Sequence, residues 1–195
     1  MKMSPLKAGL IVMPAIGIIG LLYVVFSAMD KGETGPLGSY AHGEMRAFVS
    51  LDDAPAQPNL AYVDGDGDEV RLSDYRGQVI LVNYWATWCG PCVEEMPALS
   101  ELQSELGGDD FQVVTVTLDR SIEDAREFLT RMELGNLPLI HDGTFSSPSL
   151  VRAIGLPMSI LYDGQGREIG RVPAPAEWNS EDAYALIRAA IRRNV

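Results

Sequence analysis

Cysteine and histidine are scarce in this chain, which has two of each among its 195 residues. A structural zinc site needs four ligands, and beyond Cys89 and Cys92 the sequence offers only His42 and His141. Basic residues are also few: the chain has 15 Lys and Arg residues and 27 Asp and Glu residues, which gives a formal net charge of −12. This charge argues against a nucleic-acid partner, which requires a basic surface.

One uncharged apolar segment, residues 8–29, follows Lys2 and Lys7 at the N-terminus. A helix of roughly 20 residues spans the hydrocarbon core of a bilayer, and this segment is long enough to do so. Its end is a poor cleavage site, so we predict an uncleaved transmembrane anchor rather than a signal peptide. Because positive charge favours the cytoplasmic side, the rest of the chain is expected beyond the membrane. In a bacterium this arrangement is a single-pass inner-membrane protein whose folded domain lies in the oxidising periplasm.

The sequence predicts three regions: an anchor over 1–29, a linker over 30–58 and a folded domain over 59–195. The linker prediction rests on a mixture of Gly, Pro, Ser and charged residues without a sustained period. The domain opens with strand-like runs at 60–63 and 69–72 on either side of Asp-Gly turns. That pattern predicts a β-hairpin.

Strand-like and helix-like patterns alternate after the hairpin. The predicted strands are 78–85, 111–118, 137–141, 160–162 and 167–172, and the predicted helices are 91–106, 119–133, 147–154 and 180–193. The first of these strands is rich in β-branched and aromatic residues, as suits a strand buried on both faces. The alternation predicts an α/β fold with parallel strands in the middle of the sheet. The last two strands are expected to form an antiparallel hairpin at its edge.

Both cysteines lie between a predicted buried strand and the start of a predicted helix. A helix N-terminus favours a thiolate through its unpaired N–H groups and its dipole, which makes Cys89 the expected nucleophile. Cys92 follows one turn later as the expected resolving thiol. A loop this small restricts the unfolded chain little, so we interpret the pair as redox-active rather than structural.

Residues around the pair are assigned to the turn and to partner binding. Gly90 and Pro91 restrict the turn between the cysteines, and the proline removes one N–H donor. Trp88, next to Cys89, is predicted to form part of a surface for a partner protein. Trp85 is predicted to pack in the core.

The segment Trp85–Cys92, with Pro97 downstream, resembles the thioredoxin-fold thiol–disulfide oxidoreductases. Within them it is similar to the membrane-anchored TlpA-like group of bacterial envelope proteins, and residues 175–183 resemble the TlpA proper branch. The resemblance covers about residues 59–195. It implies a central mixed sheet flanked by helices, with an N-terminal β-hairpin and an extra strand–helix insert at about 137–154.

The same resemblance assigns further residues to the site. It implies that Pro157 is the cis-proline beside the cysteines and that Leu156 offers its backbone to a partner peptide. Thioredoxins carry a buried aspartate before the pair, where this chain has Asn83, which cannot transfer a proton. In related cytochrome-maturation reductases a glutamate after the pair does this work, and Glu95 matches its position. The alternative for Glu95 is a solvated helix carboxylate, as expected for Glu94.

Thiol–disulfide exchange without a cofactor or metal is therefore the expected chemistry. The Gly-Pro dipeptide between the cysteines is that of thioredoxin, which favours a reductant. The family implies re-reduction by a membrane electron donor of the DsbD/CcdA type.

Three alternatives for the biological role are left by the sequence. The resemblance implies cytochrome oxidase copper-centre assembly, in which disulfides of a copper chaperone and of the copper-A subunit are reduced. The alternative is cytochrome c maturation, with reduction of apocytochrome c or its ligation factors. A different class is a copper-binding metallochaperone, for which His141 is the one further candidate ligand in the domain.

Overall fold

The computed structural model describes residues 35–52 and 55–194. The strands in this part of the chain are β1 (Val49–Ser50), β2 (Tyr62–Asp64), β3 (Glu69–Val70), β4 (Val79–Trp85), β5 (Phe111–Thr117), β6 (Leu139–His141), β7 (Met158–Tyr162) and β8 (Glu168–Val172). The α-helices there are α1 (Gly90–Leu106), α2 (Ile122–Arg131), α3 (Ser147–Leu150) and α4 (Glu181–Asn194). Short 3-10 helices span Gly38–Tyr40, Gly43–Met45 and Leu72–Tyr75.

The predicted anchor at 8–29 lies outside the described residues. Within residues 35–52 and 55–194, no helix is both long enough and apolar enough to cross a membrane.

The strands form one mixed sheet in the order β1-β8-β7-β4-β5-β6-β2-β3. As the alternation predicted, β4, β5 and β6 are parallel neighbours. The predicted hairpin is confirmed as β2 and β3, and β2 extends the sheet by pairing with β6. The predicted insert is confirmed as β6 and α3, although α3 ends at Leu150 instead of 154. The helix stops there because the chain turns away, with Arg152 at a φ of 55°.

The hairpin of β7 and β8 was expected at the sheet edge, and this placement is wrong. Strand β7 pairs antiparallel with the central β4 on one side and with β8 on the other. Strand β8 in turn pairs with β1. The edge position belongs to β1, a strand that lies inside the predicted linker.

The linker prediction over 30–58 is therefore wrong for the residues that the structure describes. Leu37, Met45 and Phe48 are buried in the core with α1 and α4. The Phe48 ring fills the space beside Gly170, where a Cβ would overlap it. These apolar residues escape pattern analysis because they are spaced without a helical or strand period, so only their packing reveals them.

Strand β4 separates the two halves of the core, and all seven of its residues are buried, as predicted. Side chains alternate between the two faces of a strand. Val79, Leu81 and Trp85 therefore pack with α1, α2 and α4. Ile80, Val82 and Tyr84 face the other cluster. Asn83 is in register with the first set, so its polar side chain is placed beneath the helices. This position sets the polar contacts of the site.

Candidate active site

The cysteine pair lies where β4 leads into α1. Cys89 is the N-cap residue and α1 begins at Gly90, with Pro91 in its first turn. Cys89 and Cys92 form a disulfide. Cys89 retains 8% exposure and Cys92 none, so an approaching partner disulfide meets Cys89 first. This arrangement favours the predicted order of attack, Cys89 as nucleophile and Cys92 as resolving thiol.

A buried carboxylate that the sequence analysis missed holds the turn before Cys89. Asp119 follows β5 and is 1% exposed. The backbone N–H of Thr87 donates to both of its carboxylate oxygens, at 3.2 and 3.1 Å, and the Thr87 hydroxyl donates at 2.7 Å. The Thr117 hydroxyl donates a further bond of 2.7 Å. A polar residue directly after a buried strand was the available signal, but its partner Thr87, which follows the neighbouring strand β4, lies 32 residues away and was not.

The predicted cis-proline is present, because the Leu156–Pro157 peptide bond is cis. Tyr84 of β4 pairs with Met158 of β7, so Pro157 continues β7 towards the end of β4 from which the active-site turn departs. Pro157 is buried and Leu156 is half-buried. The sheet register thus brings the cis-proline and the cysteines, which are far apart in sequence, to the same end of the sheet.

Glu95 is not solvated, because it is 5% exposed on the inner face of α1. The Asn83 side-chain amide donates to Glu95 Oε1 at 2.7 Å and also to the Ser159 hydroxyl at 2.9 Å. The backbone N–H of Ala176 donates to Glu95 Oε2 at 3.1 Å. The interpretation of Glu95 as a solvated carboxylate is therefore wrong, whereas its neighbour Glu94 is exposed.

Burial dominates the electrostatics of this carboxyl group. Removal from water raises the pKa of Glu95 from 4.5 to about 7, and the bonds from Ala176 and Asn83 only partly oppose that rise. The indole of Trp178 also favours the charged form, although its N–H falls short of hydrogen-bond geometry with any acceptor. A group balanced near neutral pH can both accept and donate a proton.

Glu95 also lines a cavity of about 460 Å³ that opens to the surface. Its other lining residues include Arg46, Pro91, Glu94 and Glu177. The cavity is thus formed by three elements: the N-terminal segment, the start of α1 and the loop before α4. It connects the buried carboxyl group of Glu95 with solvent.

Candidate metal ligands do not cluster near the cysteine pair in the described part of the chain. Among residues 35–52 and 55–194, no three His, Cys, Asp or Glu side chains come together as ligands. Nε2 of His141, the histidine that a metallochaperone would need, lies 2.9 Å from the Asp119 carbonyl oxygen and is engaged there.

The sheet order, the cysteine pair at a helix N-terminus and the cis-proline together define a thioredoxin-fold protein of the thiol–disulfide oxidoreductase class. The Redoxin family matches residues 46–165, more than half of the chain, so the chain belongs to this family. It is similar to the thiol-disulfide oxidoreductase ResA of Bacillus thuringiensis subsp. konkukian, with 28% identity over 115 residues. That match covers 59% of this chain and 66% of the relative, just under two thirds of its length.

Solved structures show the same fold. A thiol:disulfide interchange protein DsbE from Chlorobium tepidum superposes with a TM-score of 0.65 and 32% identity, covering 73% of this chain and 99% of that one. A thiol-disulfide oxidoreductase from Bacteroides vulgatus gives a TM-score of 0.61 and 27% identity, covering 69% and 94%. With the Cys89–Cys92 pair, these similarities support a redox-active enzyme.

Proposed function

We propose that the protein is a thiol–disulfide oxidoreductase that reduces disulfides in partner proteins. The observation that carries this proposal is the cysteine pair at the start of α1, in which Cys89 is the more exposed of the two, with a buried Glu95 in the next turn of the helix. Similarity to ResA and to the DsbE-type structure supports the same chemistry.

The exchange runs in two displacement steps. The Cys89 thiolate attacks one sulfur of the partner disulfide, the partner S–S bond breaks, and the second partner sulfur leaves as a thiolate. Cys92 then loses its proton and attacks Cys89 Sγ, which releases the first partner sulfur and forms the Cys89–Cys92 disulfide. Two electrons pass from this protein to the partner. A membrane donor of the DsbD/CcdA type would return two electrons before the next cycle.

Glu95 is proposed to accept the Cys92 proton in the second step. Residues three apart on a helix share a face, so Glu95 lies on the same side of α1 as Cys92. Its pKa of about 7 keeps part of the population ionised, and therefore able to accept a proton, at neutral pH. Glu95→Gln should slow the resolution of the mixed disulfide, whereas Glu94→Gln, an adjacent exposed carboxyl group, should not. Equal resolution rates in the two variants would remove Glu95 from the mechanism.

The proposed partners are proteins whose paired cysteines must be reduced before they bind a metal or haem. Copper proteins of cytochrome oxidase assembly fit the resemblance of residues 175–183 to TlpA, and Ala176 in that stretch bonds to Glu95. Cytochrome c maturation is the second candidate, favoured by the buried glutamate after the pair and by the similarity to ResA. The inner-membrane anchor and periplasmic location belong to the same proposal.

The decisive experiment combines a trap with a redox measurement. Cys92→Ser should accumulate a mixed disulfide through Cys89, which identifies the partner, and Cys89→Ser should accumulate none. The reduction potential should lie near that of thioredoxin, about −270 mV. A potential near that of a strong oxidant, about −120 mV, would reverse the proposed direction of electron flow.

A further inference from the structure

Phe145, in the turn between β6 and α3, has no role in the exchange described above. Its side chain is 48% exposed, and its backbone has a φ of 56°, in the left-handed region that non-glycine residues rarely adopt. An aromatic residue in this conformation gains little from burial and carries backbone strain. Such a combination at the surface points to a binding role.

Hydrogen bonds to Asp142 hold this turn in place. Asp142 is 2% exposed, and its Oδ1 accepts bonds from the Thr144 N–H at 3.0 Å and the Thr144 hydroxyl at 2.6 Å. Its Oδ2 accepts the Ser147 N–H at 2.7 Å. The position of Phe145 is therefore fixed by the fold of the insert.

Phe145 and Trp88 line the same groove, which has a volume of about 420 Å³. Trp88 is 65% exposed, so the groove presents two large aromatic surfaces to solvent. Asp119 also lines it, and its buried carboxylate already accepts hydrogen bonds from Thr87 and Thr117. The charged Arg120 and Asp124 lining the groove have opposite signs. The aromatic faces of Trp88 and Phe145 are therefore the part of the groove that an apolar group would contact.

The groove is lined by the residue next to the cysteine that any substrate must reach. A partner disulfide has to reach Cys89 Sγ, and Trp88, which lines the groove, directly precedes Cys89 in the chain. A polypeptide that places one of its cysteines at Cys89 therefore carries neighbouring side chains past Trp88 and Phe145.

We propose that this groove binds an apolar side chain of the substrate polypeptide, close in sequence to the cysteine that Cys89 attacks, and that Phe145 is a specificity-determining residue. The inference rests on the proposed thiol–disulfide exchange and adds a substrate preference to it. The insert between β6 and β7 would then select among partner proteins, in addition to the surface formed by Trp88 and the residue before the cis-proline.

The test uses the reduced protein and synthetic peptide probes. A short serine-rich peptide carries one cysteine as a mixed disulfide with thionitrobenzoate, and in a matched series leucine replaces one serine at a time on either side of the cysteine. Each reduced protein molecule reacts once, so the single-turnover rate of thionitrobenzoate release, measured against peptide concentration, gives the apparent kcat, KM and kcat/KM for each peptide. Phe145→Asn removes the aromatic ring yet suits the positive φ, so the turn is kept. Phe145→Leu retains apolar bulk, and Met132→Ala is a control at a side chain of similar exposure (43%).

The wild-type protein should prefer the best leucine peptide over the serine peptide by about tenfold, as expected for an apolar contact at an interface. Phe145→Asn should abolish that preference through KM, while Phe145→Leu should restore most of it and Met132→Ala should retain it. A wild-type ratio near one, or an unchanged ratio in Phe145→Asn, overturns the inference. Dimerisation that Phe145→Asn abolishes without changing peptide preference would assign the groove to a second copy of the chain and also overturn it. If the wild-type protein reacts with no peptide, the proposed exchange itself fails.

Discussion

Replacing Glu95 by glutamine should change how the stability of the protein depends on pH. The pKa of Glu95 is raised from 4.5 to about 7 by burial, so between these values the folded chain binds a proton that the unfolded chain has lost. The stability contributed by this protonation is fully present below the unfolded pKa. It is lost as the pH rises through the folded pKa, because the buried group must then ionise.

The structure sets the size of this effect. A pKa rise from 4.5 to about 7 corresponds to about 3 kcal/mol of unfolding free energy. Between about pH 5 and about pH 8.5 the expected loss is about 2.5 kcal/mol, because some of it has already occurred below this range. Glutamine carries no charge at either pH, so this loss should vanish. A pH-independent cost of about 1–3 kcal/mol should replace it, because the glutamine side chain has only one oxygen for the donors of Asn83 and Ala176.

The assay is urea unfolding of the disulfide form at both pH values. The readout is the change in unfolding free energy between them, compared among wild type, Glu95→Gln and Glu94→Gln. Because other groups titrate identically in all three proteins, their contribution cancels. Glu94→Gln should match wild type, since Glu94 is exposed. If Glu95→Gln loses as much stability as wild type over this range, Glu95 does not ionise with a raised pKa and the argument for its proton transfer fails.

Three further predictions concern stability. Met45→Ala should lower the unfolding free energy, measured in urea, by about 2–5 kcal/mol because Met45 is fully buried. Met132→Ala, at an exposed position, should cost less than about 0.5 kcal/mol. Equal effects would restore the linker interpretation of the segment that contains Met45. Glu168→Gln should lower the unfolding free energy by about 3 kcal/mol, since it leaves the partly buried Arg171 without the carboxylate that lies 2.5 Å away. A loss below about 0.5 kcal/mol would show that the ion pair contributes little to stability. Ser121→Ala should cost about 1 kcal/mol in thermal unfolding, because the Ser121 hydroxyl caps α2 by accepting the Glu123 N–H at 3.2 Å; an unchanged melting temperature would contradict the cap.

Local pattern was sufficient where the physical cause is local. The run 78–85 reads as a buried strand because every residue in it is apolar, aromatic or uncharged, and β4 is buried along its whole length. The helix after Cys89 follows from the turn residues and the apolar spacing of 91–106. Ser121 and Ser180 are residues of a type that caps helices, and both accept backbone N–H bonds at the starts of their helices.

Pattern analysis failed for the N-terminal segment and for the edge of the sheet. A strand as short as β1 has no period to detect, and its pairing with β8 is a long-range contact. When β1 is not detected, the hairpin of β7 and β8 is placed at the edge of the sheet, because no other strand is then available to pair with β8. The burial of Leu37, Met45 and Phe48 depends on surfaces that exist only after α4 has packed on the sheet.

The sequence by itself determined the redox chemistry of this protein, because the two cysteines and the start of the helix are neighbours along the chain. Only the tertiary structure decided the environment of Glu95. Its partners Asn83 and Ala176 are 12 and 81 residues away, and Asn83 in turn reaches Ser159 across 76 residues. Burial of a carboxyl group depends on what packs over it, so its pKa near 7 follows from β4, α1 and the loop before α4 coming together. No local spacing encodes that arrangement.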